Sequence, residues 1–294
     1  MVFLVSMSIN PREFIFEKSL AILPVFIGIM IGDLNLFILA AIFLGQGHFT
    51  LSYIYKIRSG RIRPASFLIW FAVAAAMFFV FSDPERHTPL LLITSIYLVT
   101  HFVVDDRYLI GSPVSKYATL EMGIVLLLYY ALIVHTLYGG PIPMVFTAMA
   151  GLGLGHYIWS ARRETAKIDI YNWFFLSQIF FLILLVASGR RFDTGWINAG
   201  AGIYHYAVWY IAYGRKVQGN VNARKTYVGW VLAVNLVIGV LFTVYIVNPA
   251  YVPVLDFAFT QQYFLIWAFL HFFSATRIDD IRHITRANWR LSSA

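Results

Sequence analysis

Ten predominantly apolar stretches follow one another along this chain, joined by short polar links. Each is close to the roughly 20 residues a helix needs to cross the hydrocarbon of a bilayer. Lipid offers no water to the backbone, so only helices and closed barrels can span it, and runs of this length select helices. The stretches cover residues 13–32, 34–55, 65–82, 89–107, 116–138, 142–161, 169–188, 194–214, 226–247 and 254–275. The first is the shortest in purely apolar terms, because Glu17 and Lys18 interrupt it. Composition agrees: 60% of residues are hydrophobic, 12% are charged and the mean hydropathy is +0.72, values foreign to a soluble domain of 294 residues. The expected architecture is an all-α polytopic membrane protein of about ten transmembrane helices, arranged as five helical hairpins in a single integral-membrane domain covering residues 1–294.

The links carry helix breakers and caps: Asp33, Asp83-Pro84, Gly139-Gly140-Pro141, Asp193-Thr194 and Asn248-Pro249. Lys and Arg set the orientation. All 22 except Arg86, Arg190 and Arg191 fall in the N-terminal segment or in the loops beginning at Lys56, Arg107, Arg162, Arg215 and Arg277. Both termini are therefore expected in the cytoplasm, with every even-numbered helix running inward. The opening residues lack a basic n-region ahead of an apolar core, so no cleavable signal peptide is expected. The net charge of +8 reports this topology and does not point to nucleic acid, since the basic residues lie between apolar stretches.

On this frame five of the eight histidines form a pattern. His48-Phe49, His101-Phe102, His156-Tyr157, His205-Tyr206 and His271-Phe272 each pair a histidine with an aromatic residue, at separations of 53, 55, 49 and 66 residues. His87, His135 and His283 lack that neighbour. Each of the five sits in the second helix of a hairpin, 6 to 10 residues before the first cytoplasmic Lys or Arg. At 1.5 Å per residue they share one layer, about 9 to 15 Å below the inner boundary. Ionisable side chains at such depth are functional candidates by default, and five at one level imply a shared ligand, a metal ion above all. Glycines precede several of them: Gly45 and Gly47; Gly151, Gly153 and Gly155; Gly200 and Gly202. They permit close helix packing or leave room for a ligand.

The chain has no cysteine, which excludes thiolate ligation, disulfides and a thiol nucleophile. Imidazole donors suit iron, zinc or copper. Glu121 is an acid that could ligate or orient a histidine through its second nitrogen, or instead pair with Lys116. Asp105, Asp106, Asp279 and Asp280 read as ion-paired helix ends beside Arg107 and Arg277. HExxH, Walker A, GxSxG and the HxxxH box of membrane desaturases are all missing. Haem needs only two facing histidines, fewer than are present here.

The order of these motifs resembles that of the Brp/Blh family of bacterial and archaeal membrane carotenoid dioxygenases, which cleave β-carotene to retinal. Its Pro-His-Gly, Ile-His-Phe-Gly with a following Asp, mid-chain His, His-x-x-x-His and late Pro-His correspond to Gly47-His48, Thr100-His101-Phe102 with Asp105-Asp106, Gly155-His156-Tyr157, Tyr204-His205-Tyr206 and Leu270-His271-Phe272. The resemblance covers nearly the whole chain as a pattern and is specific around His101. It implies a prokaryotic cytoplasmic membrane, non-haem Fe2+ held by His48, His101 and His205, and O2 with an apolar polyene as reactants. Two positions depart from the family: Trp209 stands where the second histidine of the pair belongs, and Tyr53 replaces the Asp of the first motif. A fourth ligand would then come from His156 or His271.

Aromatic residues form 18% of the chain. Those near the histidines, including Tyr53, Tyr157, Tyr206 and Trp209, are candidates to wall a polyene tunnel. Interfacial belts explain many of the same rings. Two other classes of protein fit the pattern: a metal- or haem-binding sensor or transporter without oxygenase chemistry, and a structural bundle whose histidines bridge helices.

Overall fold

The computed structural model describes residues 11–58, 60, 62–81, 101, 116–137, 142–165, 175–176, 179–180, 183, 194–216, 219–248, 253–260, 263–264, 266–268 and 270–271. Among them every regular element is helical: α1 (Pro11–Ile31), α2 (Leu34–Arg58), α3 (Pro64–Phe81), α4 (Lys116–Leu137), α5 (Ile142–Thr165), α6 (Thr194–Lys216), α7 (Val221–Val247) and α8 (Pro253–Phe259). His101, the described residues between 175 and 183, and those between 263 and 271 are also helical. The all-α expectation holds for these residues. Most of the expected segments 89–107 and 169–188, and the breakers at 83–84, 139–141 and 193, lie outside the described residues, as do Phe102, Asp105, Asp106, Phe272, Asp279 and Asp280.

Caps fix several ends. Asp33 Oδ1 accepts the Leu36 amide at 3.0 Å at the start of α2, and Asn220 Oδ1 accepts that of Ala223 at 3.0 Å at the start of α7. Gly32, at φ 76°, takes the left-handed conformation that closes α1. Asn248 ends α7, its amide bonded to the Val244 carbonyl at 2.9 Å. α7 begins five residues ahead of the apolar run expected at 226, because the Asn220 cap extends the helix through the exposed Arg224 and Lys225.

Among the described residues two helices, α2 and α7, are long and apolar enough to cross a membrane. They differ in what they expose. α2 buries a continuous face that includes Gln46, His48, Phe49 and Tyr53. α7 turns Leu232, Leu236, Val237 and Val240 outward, each more than half exposed, which is the surface a lipid-facing helix presents.

The described helices gather into two compact units. In the first, α2, α7 and α8 close around Ile42, Leu51, Val234, Ile238, Leu255 and Phe259, while Phe37 and Ala41 of α2 meet Ala199 and Ile203 of α6. The charges that interrupt the first apolar run turn inward onto α6. Glu17 pairs with Arg215 at 3.0 Å, and the buried Lys18 lies 5.2 Å over the Tyr204 ring. In the second unit, α4 and α5 pack through Ile124, Leu128, Ala150 and Tyr157, joined by Phe175 and Ile179.

Close approach in the first unit depends on two glycines of α2. A Cβ on Gly45 would stand 2.5 Å from the Phe264 ring, and one on Gly47 would stand 2.4 Å from Asn235 Oδ1. The Asn235 amide cannot swing aside freely, because its Nδ2 donates to Val231 O at 2.8 Å. Gly151 and Gly155 meet nothing within 4 Å. Gly47→Ala should therefore destabilise the protein by about 1–3 kcal/mol, while Gly151→Ala, with the better helix former, should be neutral or stabilising. Thermal unfolding in detergent checks the contrast.

Candidate metal centre

Three helical segments of the first unit each deliver one imidazole to a common point. His48 comes from α2, His205 from α6 and His271 from the helical residues after α8. All three are buried. One ring nitrogen from each lies within 4.8 Å of the other two. His48 Nε2 and His271 Nε2 are 3.2 Å apart. The ring centroids of His48 and His205 are 5.2 Å apart and nearly perpendicular, and those of His48 and His271 are 4.7 Å apart.

These distances fit a metal. With metal–nitrogen bonds of about 2.1 Å, two imidazoles on one tetrahedral ion have nitrogens about 3.4 Å apart. The His48–His271 separation is close to that, and small ring movements bring in the third donor. An N–H···N hydrogen bond between neutral rings has a similar length, so the pair alone decides nothing. The convergence of a third buried imidazole is what makes this a candidate site: the three could hold a metal ion. Three nitrogen donors leave coordination positions open.

Aromatic rings enclose the group. Phe49 stacks on His271 at 4.8 Å and packs against Phe264 at 5.4 Å, which is why Gly45 must be small. Tyr206 and Trp209 each lie 5.2 Å from the His48 ring. Tyr53 lies 6.2 Å from His271, and its hydroxyl donates to Trp267 O at 3.1 Å. The Tyr210 hydroxyl and the Asn235 side chain hydrogen-bond at 3.4 Å beside Gly47, and Gln46 Nε2 donates to Ala258 O. No family model, curated protein or solved structure matches this chain.

The remaining sequence candidates occupy the second unit, and none is a member of the three-histidine group. His101 is buried there. His156 is exposed on α5, its ring 5.9 Å from Trp159. Glu121 is fully buried and accepts the Tyr157 hydroxyl at 2.9 Å, and the Tyr157 ring packs on Phe175 at 5.2 Å. Both Glu121 and Tyr157 thus have definite roles in holding α4 to α5. Asn235 was not singled out from sequence. The signal was there: it is a lone amide in the interior of a long apolar helix.

His48→Ala, His205→Ala and His271→Ala should each abolish stoichiometric metal binding, and His156→Ala should leave it intact, as read by elemental analysis of purified protein. Acidification should release the metal from the wild type, because imidazole binds it only when neutral.

Proposed function

We infer that the chain is a multi-pass membrane oxygenase in which His48, His205 and His271 hold non-haem Fe2+ beside a site for an apolar polyene, a carotenoid or related isoprenoid. The observation that carries this reading is the convergence of three buried imidazoles, with no thiolate in the chain, inside an aromatic wall. Nitrogen donors with open positions suit ferrous iron and dioxygen. Bound ferrous iron would supply the electrons that let dioxygen react with a closed-shell hydrocarbon.

The protein's own residues would do the rest. Phe49, Tyr206 and Trp209 exclude water from the ligands and offer flat apolar faces against which a conjugated chain can lie. Fixing one double bond near the reactive centre converts an encounter into an oriented reaction. The order of single histidines along the chain, which resembles that of the Brp/Blh carotenoid dioxygenases, supports the same reading for two of the three ligands that the resemblance implies, His48 and His205; the third, His101, is not a member of the group, and His271 takes that place. Trp209, in place of that family's second histidine, narrows the site on the α6 side and bears on which polyene is accepted.

Purified protein should carry about one iron per chain without a haem band, and should convert β-carotene or a related polyene to an aldehyde when given oxygen. His271→Ala should lose both properties. Zinc bound in place of iron, with no oxygen uptake on any polyene, would favour a redox-silent binding protein. The topology is tested separately, because the chain has no native cysteine. Gly219→Cys and Asn248→Cys flank α7 at opposite ends. With cytoplasmic termini, a membrane-impermeant maleimide should label Asn248→Cys in intact cells and Gly219→Cys only after lysis.

A further inference from the structure

A column of aromatic rings leads away from the histidine group along α6. Trp209 sits 5.2 Å from the His48 ring. One helical turn on, Tyr213 stacks on Trp209 with centroids 4.5 Å apart and planes 13° from parallel. Tyr213 in turn meets Tyr227 of α7 at 5.9 Å and Tyr55 of α2 at 5.7 Å. These last rings lie by the basic helix ends: Tyr55 precedes Lys56, and Tyr213 stands two residues before Arg215. An interfacial belt accounts for Tyr55 and Tyr213. It does not account for their ring-to-ring connection, through Trp209, to the wall of a buried metal site.

Indole and phenol are the side chains most readily oxidised by one electron, and rings in contact exchange electrons quickly. Tyr206 is as close to His48 as Trp209 is, but its ring neighbours among the described residues are His48, His205 and Phe49. Phenyl and imidazole do not extend the path. Tyr210, 6.5 Å from His48, hydrogen-bonds through its hydroxyl to Asn235. The Trp209 route continues through stacked oxidisable rings to Tyr213 and Tyr55, half-buried at the helix ends, where a phenolic proton can reach water; Tyr227 beside them is buried, its hydroxyl donating to Tyr210 O at 3.0 Å.

We propose that Trp209, Tyr213 and the flanking Tyr55 and Tyr227 form an electron-transfer relay that drains oxidising equivalents from the metal site to the basic end of the helices when the metal is oxidised without substrate. This rests on the iron reading above. With hydrogen peroxide as oxidant the balance is complete: the O–O bond breaks and two waters form, one electron coming from Fe2+, which becomes Fe3+, and one from a tyrosine. That tyrosine also gives up its phenolic proton and is left as a neutral radical, and solvent supplies one further proton. Trp209 passes the electron inward and is restored by Tyr213.

The test mixes anaerobic, ferrous-loaded full-length protein with one equivalent of hydrogen peroxide, freezes it rapidly and records electron paramagnetic resonance, followed by mass spectrometry of the ligand histidines. The wild type should give ferric iron and a tyrosyl radical. Tyr213→Phe keeps the ring and its stacking. It should bind iron equally, lose the radical signal and gain oxidation at His48, His205 or His271. Trp209→Phe should also lose the radical, and zinc-loaded protein should give none. Stoichiometric iron that becomes ferric without a tyrosyl radical, or with the same radical in Tyr213→Phe, overturns the relay and leaves the iron site standing. Failure to bind iron at all overturns both.

Discussion

Three imidazoles meeting in a dry helix interior set the terms for the rest of the first unit. Each ring carries polar nitrogens that must be satisfied away from water, so the helices have to bring them within reach of one another or of a metal. α2 is the centre of that arrangement. It supplies His48, removes side chains at Gly45 and Gly47 on the preceding turn, and buries Gln46, Phe49 and Tyr53 around them. Phe264 fills the space over Gly45, and the Tyr210–Asn235 pair fills that over Gly47. The glycines therefore act as packing positions that let the histidines converge.

Charge constrains the chemistry further. Among the described residues the group has no carboxylate, so three neutral donors would leave the full charge of a divalent ion in a low-dielectric interior, a costly state unless an anion neutralises part of it. The faces of nearby aromatic rings offset some of this. An exogenous anionic or easily reduced ligand in the open positions would offset more. Three donors alone would leave such a site open, where a structural site is usually closed by its own ligands.

Much of the fold was legible because length and capping are local properties. Residues 34–55, 65–82, 116–138 and 194–214 were readable as helices from their apolar runs, and α2, α3, α4 and α6 match them within three residues at each end. The site was legible only in part. Repeated spacing along the chain places a histidine at a position along its helix, but it says nothing of its direction around the helix axis. His48, His205 and His271 face inward, whereas His156, at the same inferred depth, lies on the exposed side of α5 with Trp159 one turn away. That direction depends on which face packs. On α5 the packed face carries Ala150 and Tyr157, and a histidine beside Tyr157 in sequence points elsewhere.

Direction around the axis can itself depend in part on one polar atom. α7 is apolar along most of its length and largely exposed, so apolar packing alone distinguishes its faces weakly. Asn235 helps to break that near-degeneracy. Its Nδ2 bonds within the helix to Val231 O and across to the Tyr210 hydroxyl on α6, and an amide turned outward would keep the first partner but lose the second. The amide therefore adds to Tyr227, Val234 and Ile238 in favouring the side of α7 that faces inward. Gly47 admits it at close range, and His48 is the next residue on α2. A single amide on the most exposed apolar helix thus packs against the backbone just before the first histidine, and links α6 and α7 beside the three-histidine group.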